Sequence, residues 1–201
     1  MSKAPIAFFA YKRPEHTMRL SMMATLRSLY RSIKFKLTDI WLKRLAKRSP
    51  LKVIVGAGGT FQTGWVSTDI EHLNILDPEN WGRYFAEGSI DAILAEHVWE
   101  HLTGEESLLA ARNCFKYLKH HGYLRVAVPD GFHPSREYIE DVKPGGRGAG
   151  ADCHKILYNY KTLSRVFTAA DFDVDLIEWF DEKGQGRLQG RLSFRSGLQS
   201  P

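Results

Sequence analysis

Cysteine is scarce in this chain. Cys114 and Cys153 are its two cysteines in 201 residues, too few and too irregularly placed for a disulfide framework or a cysteine zinc site. A reducing cytoplasm is therefore the expected compartment, and no metal-ligand set is read from the sequence. Long apolar runs are lacking as well: none approaches the roughly 18–20 residues that a membrane-spanning helix needs. The opening MSKAPIAFFAYKRPEH has an apolar patch, but Lys12, Arg13 and Glu15 follow it at once and no small-residue cleavage site appears, so a signal peptide is not expected. No internal repeat is present. Acidic residues are nearly absent from the first fifty positions, where only Glu15 and Asp39 oppose 12 Lys and Arg. The rest of the chain holds 16 basic against 21 acidic residues, so the overall +5 hides a basic arm on an acidic domain.

Within that arm Leu20, Met23, Leu26, Tyr30, Ile33, Leu37, Ile40 and Trp41 recur at three- and four-residue steps, with Arg and Lys between them. The pattern predicts a basic amphipathic helix. It suits either packing on the domain with a solvated basic face, or peripheral contact with an anionic membrane or a polyanion. Pro50 ends the arm. The expected organisation is a helical extension over 1–49, a ligand-binding domain over 50–181 and an irregular tail over 182–201.

Leu51–Val55 is apolar enough for a strand buried on both faces. A glycine turn, Gly56, Gly58 and Gly59, comes next, and a second β-rich stretch over Gly64–Asp69 ends in an acid. A short apolar piece, Leu73–Leu76, reads as a third strand before Asp77 and Pro78. Ile90–Ala95 and Tyr123–Val128 are further buried strands. Between them Thr103 and Glu106 have capping-box spacing, and the helix they open is expected to close at Gly122. A polar, glycine-rich insert over Phe132–Asp152 has the length of a binding loop or lid. A helix over Asn159–Ala170 and an alternating strand over Phe172–Phe180 complete the pattern. Strands alternating with helices predict an α/β, Rossmann-like, doubly wound and mostly parallel sheet.

In such sheets ligands bind beyond the carboxyl ends of the strands. That crevice collects the glycine turn, Asp69, the segment SIDAILAEHVWEHL (89–102) and Pro129-Asp130. Asp69 stands where a carboxylate accepts hydrogen bonds from a ribose diol. Ten residues separate Gly58 from Asp69, and TFQTGWVST is poor in helix formers. The first crossover helix is therefore expected to be reduced to a loop, which removes the helix N-terminus that would bind a pyrophosphate. This points away from NAD or FAD. Trp65 is the tryptophan best placed to touch a cofactor.

The segments VIVGAGG (53–59), GWVSTD (64–69), SIDAILAEHVWEHL (89–102) and YLRVAVPD (123–130) together resemble class I S-adenosylmethionine-dependent methyltransferases of the small, predicted-methyltransferase type. The resemblance covers about Leu51–Phe180. It implies that Gly56, Gly58 and Gly59 line the methionine moiety of S-adenosylmethionine, that Asp69 holds the ribose, that Asp77 lies near the adenine, and that Glu96 and His97 flank the sulfonium. The run Gly150–Lys155 resembles the D-x-H-K segment after the lid of this group, which nominates His154 as general base with Asp152 as its orienter; His97 is the other candidate base. Glu100 and His101 are read as capping or beginning the next helix. The implied acceptor is a small molecule or glycan, through a hydroxyl. The rival is a non-catalytic domain that keeps the pocket and docks a membrane or polyanion through its arm. Nucleic acid is disfavoured, since no recognition module and no N-P-P-Y-type motif is present. The opening PIAFFAYKRPEHTMRLSMMATL faintly resembles the first strand and helix of nucleotide-sugar glycosyltransferases, without their D-x-D metal motif. The resembled methyltransferases add a further antiparallel strand after the position of Phe180; no strand pattern follows it here, so an exposed sheet edge is expected.

Overall fold

The computed structural model describes residues 14–189. Residues 5–13 of the glycosyltransferase-like opening and the end of the tail lie outside them. The chain divides into two compact units, one ending at Trp41 and the other beginning at Leu42. In the first, helix α1 (Pro14–Leu45) runs to the boundary and its last turn enters the second. On α1, Leu26, Leu29, Tyr30, Ile33, Leu37, Ile40 and Trp41 are exposed, a stripe at helical spacing. No helix among the described residues is long and apolar enough to cross a membrane.

The second unit is an α/β, Rossmann-like domain. Its sheet is built from β1 (Lys52–Val55), β2 (Val66–Ser67), β3 (Ile90–Glu96) and β4 (Leu118–Ala127), all parallel, in the order β2-β1-β3-β4. The chain winds one way from β1 to β2 and then returns to the other side of β1, so the topological switch point lies between β1 and β3. No helix joins β1 to β2, as the short Gly58–Asp69 spacing predicts. Thr68 replaces the missing packing with a local clamp: its N–H and its hydroxyl both donate to the Ile54 carbonyl, at 2.8 Å each.

Around the sheet lie α2 (Pro78–Tyr84), α3 (Gly104–Tyr117), α4 (Arg136–Val142) and α5 (Tyr160–Thr168). The expected Thr103/Glu106 capping box opens α3, with the Glu106 carboxylate 2.7 Å from the Thr103 N–H. A second box, Asn159 with Thr162, opens α5. Leu42, Leu45, Leu51, Val53 and Val55 enter one core with Trp81 and Trp99, both fully buried. Each indole N–H finds a carbonyl, Trp81 on Ile75 at 3.1 Å and Trp99 on Ser107 at 3.3 Å. Burying such large side chains stabilises the fold by about 1.5–3 kcal/mol each, and the satisfied N–H keeps that gain.

Three expected elements differ. Leu73–Leu76 is not a strand: Leu73 and Ile75 are buried, but the segment is irregular and hangs on carbonyl contacts, the Asn113 amide donating to Ile75 O at 2.8 Å. Helix α3 ends at Tyr117 rather than Gly122, because β4 starts at Leu118 and slips register between Ile90 and Ala92. Gly122 lies in that irregularity, where a Cβ would come within 3.0 Å of the Ile90 and Lys119 carbonyls. Of Phe172–Phe180, only β5 (Glu178–Phe180) is strand, and it pairs antiparallel with β6 (Gly186–Leu188) instead of joining the main sheet, so the tail expected to be irregular from 182 carries a strand after Phe180. Among the described residues the main sheet therefore ends at β4.

Candidate functional site

The glycine turn leaves β1 at the switch point. Gly56 takes φ +61°, and a Cβ there would stand 2.6 Å from Val98 Cγ2. The residue is thus required twice, for left-handed backbone and for the close approach of β1 to the segment after β3. Gly58 and Gly59 also have positive φ, but nothing lies within 4 Å of where their Cβ atoms would be. Their open side is free for a ligand. Asp69 closes the turn: its Oδ2 accepts from the Gly58 N–H at 2.9 Å, and its Oδ1 accepts from the Ile70 N–H at 2.9 Å. Each carboxylate oxygen keeps a further lone pair for a ligand donor. Ile70, immediately after Asp69, is 71% exposed and Phe61, beside the turn, 69%. Neither is singled out by the sequence pattern; an apolar residue directly after Asp69 is the signal available there.

Glu96 ends β3, lines a shallow cavity of about 40 Å³ with Ile54, Gly56, Ala57, Thr60 and Leu94, and ion-pairs with Arg125. His97 follows with φ +55°, a conformation that costs a non-glycine residue about 1–2 kcal/mol. Its N–H still extends the ladder to Ala127 O at 3.0 Å. The His97 ring is 72% exposed while its Nδ1 meets Glu100 Oε1 at 3.0 Å; Glu100 is 1% exposed. Strain of this kind persists where the surroundings impose it, as at a working site.

Glu100 belongs to a 3-10 turn, Trp99–His101, and its carbonyl accepts from the N–H groups of Lys155 at 2.7 Å and Ile156 at 3.2 Å. This ties it to a second 3-10 turn, Ala151–Cys153, which His154 caps. One side-chain ligand atom each from Glu100, His101 and His154 lie within 4.8 Å of one another. The expected pairing of His154 with Asp152 is not formed: Asp152 is exposed, and His154 Nδ1 meets the Val142 carbonyl at 2.7 Å. The carboxylate that orients a histidine here is Glu100, and the histidine is His97.

Two expected cofactor contacts are also placed elsewhere. The register Val53↔Val66 sets Trp65 level with Lys52, whose ammonium lies 5.8 Å from its ring centroid. That is the amino end of the strands, roughly 13 Å along the chain from Asp69. Asp77 caps α2, its Oδ1 accepting from the Glu79 N–H at 2.9 Å and its Oδ2 from the Asn80 amide at 2.6 Å. No third strand precedes it, and its carboxyl serves the start of α2.

Beyond β4 a cavity of about 430 Å³ opens between the strand's end, α5 and residues 172–180, with Asp130, His133, Tyr138 and Tyr158 among its walls. Asp130 pins its far side: Oδ2 accepts from the Phe180 N–H at 2.8 Å. Burial pushes the Tyr138 and Tyr158 phenols up, and the charge of Glu100 adds to this in both.

No family model matches the chain, and no curated protein matches it. Among solved structures it is similar to the crystal structure of a SAM dependent methyltransferase from Archaeoglobus fulgidus, at 16% identity and a TM-score of 0.46, over 73% of this chain and 73% of that one.

Proposed function

We propose that the domain binds S-adenosylmethionine and transfers its methyl group to a hydroxyl of a small molecule or glycan. The observation that carries this reading is the bond between the Gly58 N–H and Asp69 Oδ2 across β1 and β2, with no crossover helix between them. Such a corner offers a carboxylate to a ribose diol and open backbone beside it, but no helix N-terminus for a pyrophosphate. The open side of Gly58 and Gly59 and the exposed Ile70 and Phe61 fit an adenosine-bearing ligand.

Bound there, the cofactor supplies an electrophilic methyl carbon on a sulfonium. The chain's task is then to orient an acceptor and take its proton. Glu100 holds His97 through Nδ1, which leaves Nε2 as the basic nitrogen. With S-adenosylmethionine held at the glycine turn and Asp69, its sulfonium would supply the methyl group, and His97 Nε2 would take the proton of the acceptor hydroxyl. The cavity of about 430 Å³ beyond β4 is the proposed acceptor pocket. The test is production of S-adenosylhomocysteine over a panel of hydroxyl acceptors. His97→Gln is expected to lower kcat about 100-fold or more with cofactor binding kept; an unchanged kcat would remove His97 from the reaction.

A second reading is favoured by the exposed apolar stripe of α1: a non-catalytic domain that docks an anionic membrane through this arm. Cofactor binding without transfer to any acceptor, together with co-sedimentation on anionic but not neutral vesicles, would support it. An absence of vesicle binding would sink it.

A further inference from the structure

We propose that Glu100, His101 and His154 form a binding site for a first-row divalent cation of the zinc type. The three residues come from two 3-10 turns stapled together by the backbone bonds of Lys155 and Ile156 to the Glu100 carbonyl. Their ligand atoms lie within 4.8 Å of one another. Donors on a tetrahedral ion at about 2.0–2.1 Å stand roughly 3.3 Å apart, so the set would close by up to about 1.5 Å on binding.

Two independent features point to a cation. The first is the state of Glu100. Its side chain is 1% exposed; Oε1 meets His97, and Oε2 has no hydrogen-bond partner among the described residues. A buried carboxylate oxygen without a donor is costly, and a metal ion is one of the few partners that relieve it. The second is the orientation of both imidazoles. His154 Nδ1 meets Val142 O at 2.7 Å and His101 Nδ1 meets Cys153 O at 3.3 Å. A carbonyl can only accept, so each ring donates from Nδ1, which in the neutral imidazole puts the lone pair on Nε2. Metal-binding histidines are held this way, with the second nitrogen donating to a carbonyl. The rings approach edge to face with centroids 4.9 Å apart.

Two imidazoles and one carboxylate suit zinc and its first-row neighbours rather than magnesium or calcium, which prefer all-oxygen sets. Three protein donors leave a coordination position for water or a substrate oxygen, the pattern of a catalytic rather than a structural site. Cation binding itself does not depend on the methyl-transfer reading.

The test is isothermal titration of the full chain with Zn²⁺, with visible absorption of the Co²⁺ form as a report on coordination. One ion per chain is expected. Glu100→Gln and His154→Gln should each weaken binding at least about tenfold and alter the Co²⁺ spectrum. Cys153→Ser and His121→Asn, controls for the exposed thiol and for a distant surface histidine, should leave affinity within that factor. Should Glu100→Gln fail to fold by circular dichroism, His101→Gln and His154→Gln decide. Absence of saturable binding, or a loss smaller than tenfold in the folded ligand variants, overturns the site, as does a larger loss in Cys153→Ser than in His154→Gln. S-adenosylhomocysteine binding, measured separately, is untouched by either result.

Discussion

Gly56→Ala is the sharpest probe of how β1 meets the segment after β3. At φ +61° an alanine loses about 1–2 kcal/mol through its backbone conformation alone. Its Cβ would also arrive 2.6 Å from Val98 Cγ2, and overpacking of this kind costs a further ~1–3 kcal/mol. The expected total is about 2–5 kcal/mol. Gly59→Ala is the internal control. Its φ is +89°, but no atom lies within 4 Å of the added carbon, so only the conformational cost applies. Val98→Ala removes the clashing methyl, so in that background Gly56→Ala should fall to the control's cost. The coupling between positions 56 and 98 is then about 1–3 kcal/mol. Urea unfolding followed by circular dichroism reads all four variants, provided the slopes stay equal. Equal costs for Gly56→Ala and Gly59→Ala, or no coupling with Val98, would refute the reasoning.

Asp91 gives a pH signature at the opposite end of the sheet. The Lys119 ammonium, bonded to both its oxygens at 2.7 and 2.8 Å, holds its carboxyl below the ordinary value of 3.8. A lowered carboxyl stabilises the fold above its unfolded pKa and loses that effect as pH falls through the folded one. Asp91→Ala should therefore be less stable than wild type at pH 7 by about 1–3 kcal/mol, and the gap should close below about pH 4; a gap constant down to pH 3 would contradict this. The thiols should separate cleanly under a water-soluble thiol reagent in native buffer: Cys153 is exposed and reacts, while Cys114 is buried, with burial pushing its thiol up, and does not. Labelling of Cys114 before unfolding would show that α3 is not packed as described.

What the sequence made legible was local. The Thr103/Glu106 box, the reduced first crossover and the glycine–acid corner each depend on residue types within a dozen positions, where capping and backbone rules act directly. What stayed hidden depended on distant partners. Leu73 and Ile75 are apolar because they are buried, and burial alone does not separate a strand from a buried loop. The alternation of Phe172–Phe180 suggested a sheet strand, yet the cavity along β4 leaves only its last three residues paired, and with β6. Trp65 lies at the amino end of the strands because register, not proximity in sequence, decides which end faces the ligand. Glu100 reads as a helix cap or start, since nothing in EHVWEHL reveals that its carboxyl is fully buried against His97 while its backbone carbonyl holds a second turn fifty residues on.

Calorimetry with S-adenosylhomocysteine on wild type and Asp69→Ala tests the central claim most directly. Asp69 would receive charge-assisted hydrogen bonds from the ribose diol, each worth about 1.5–3 kcal/mol. Wild type should bind saturably, Asp69→Ala should lose about tenfold or more in affinity, and NAD should not bind. Undiminished affinity in the folded Asp69→Ala variant, or binding of NAD in place of S-adenosylhomocysteine, would contradict it.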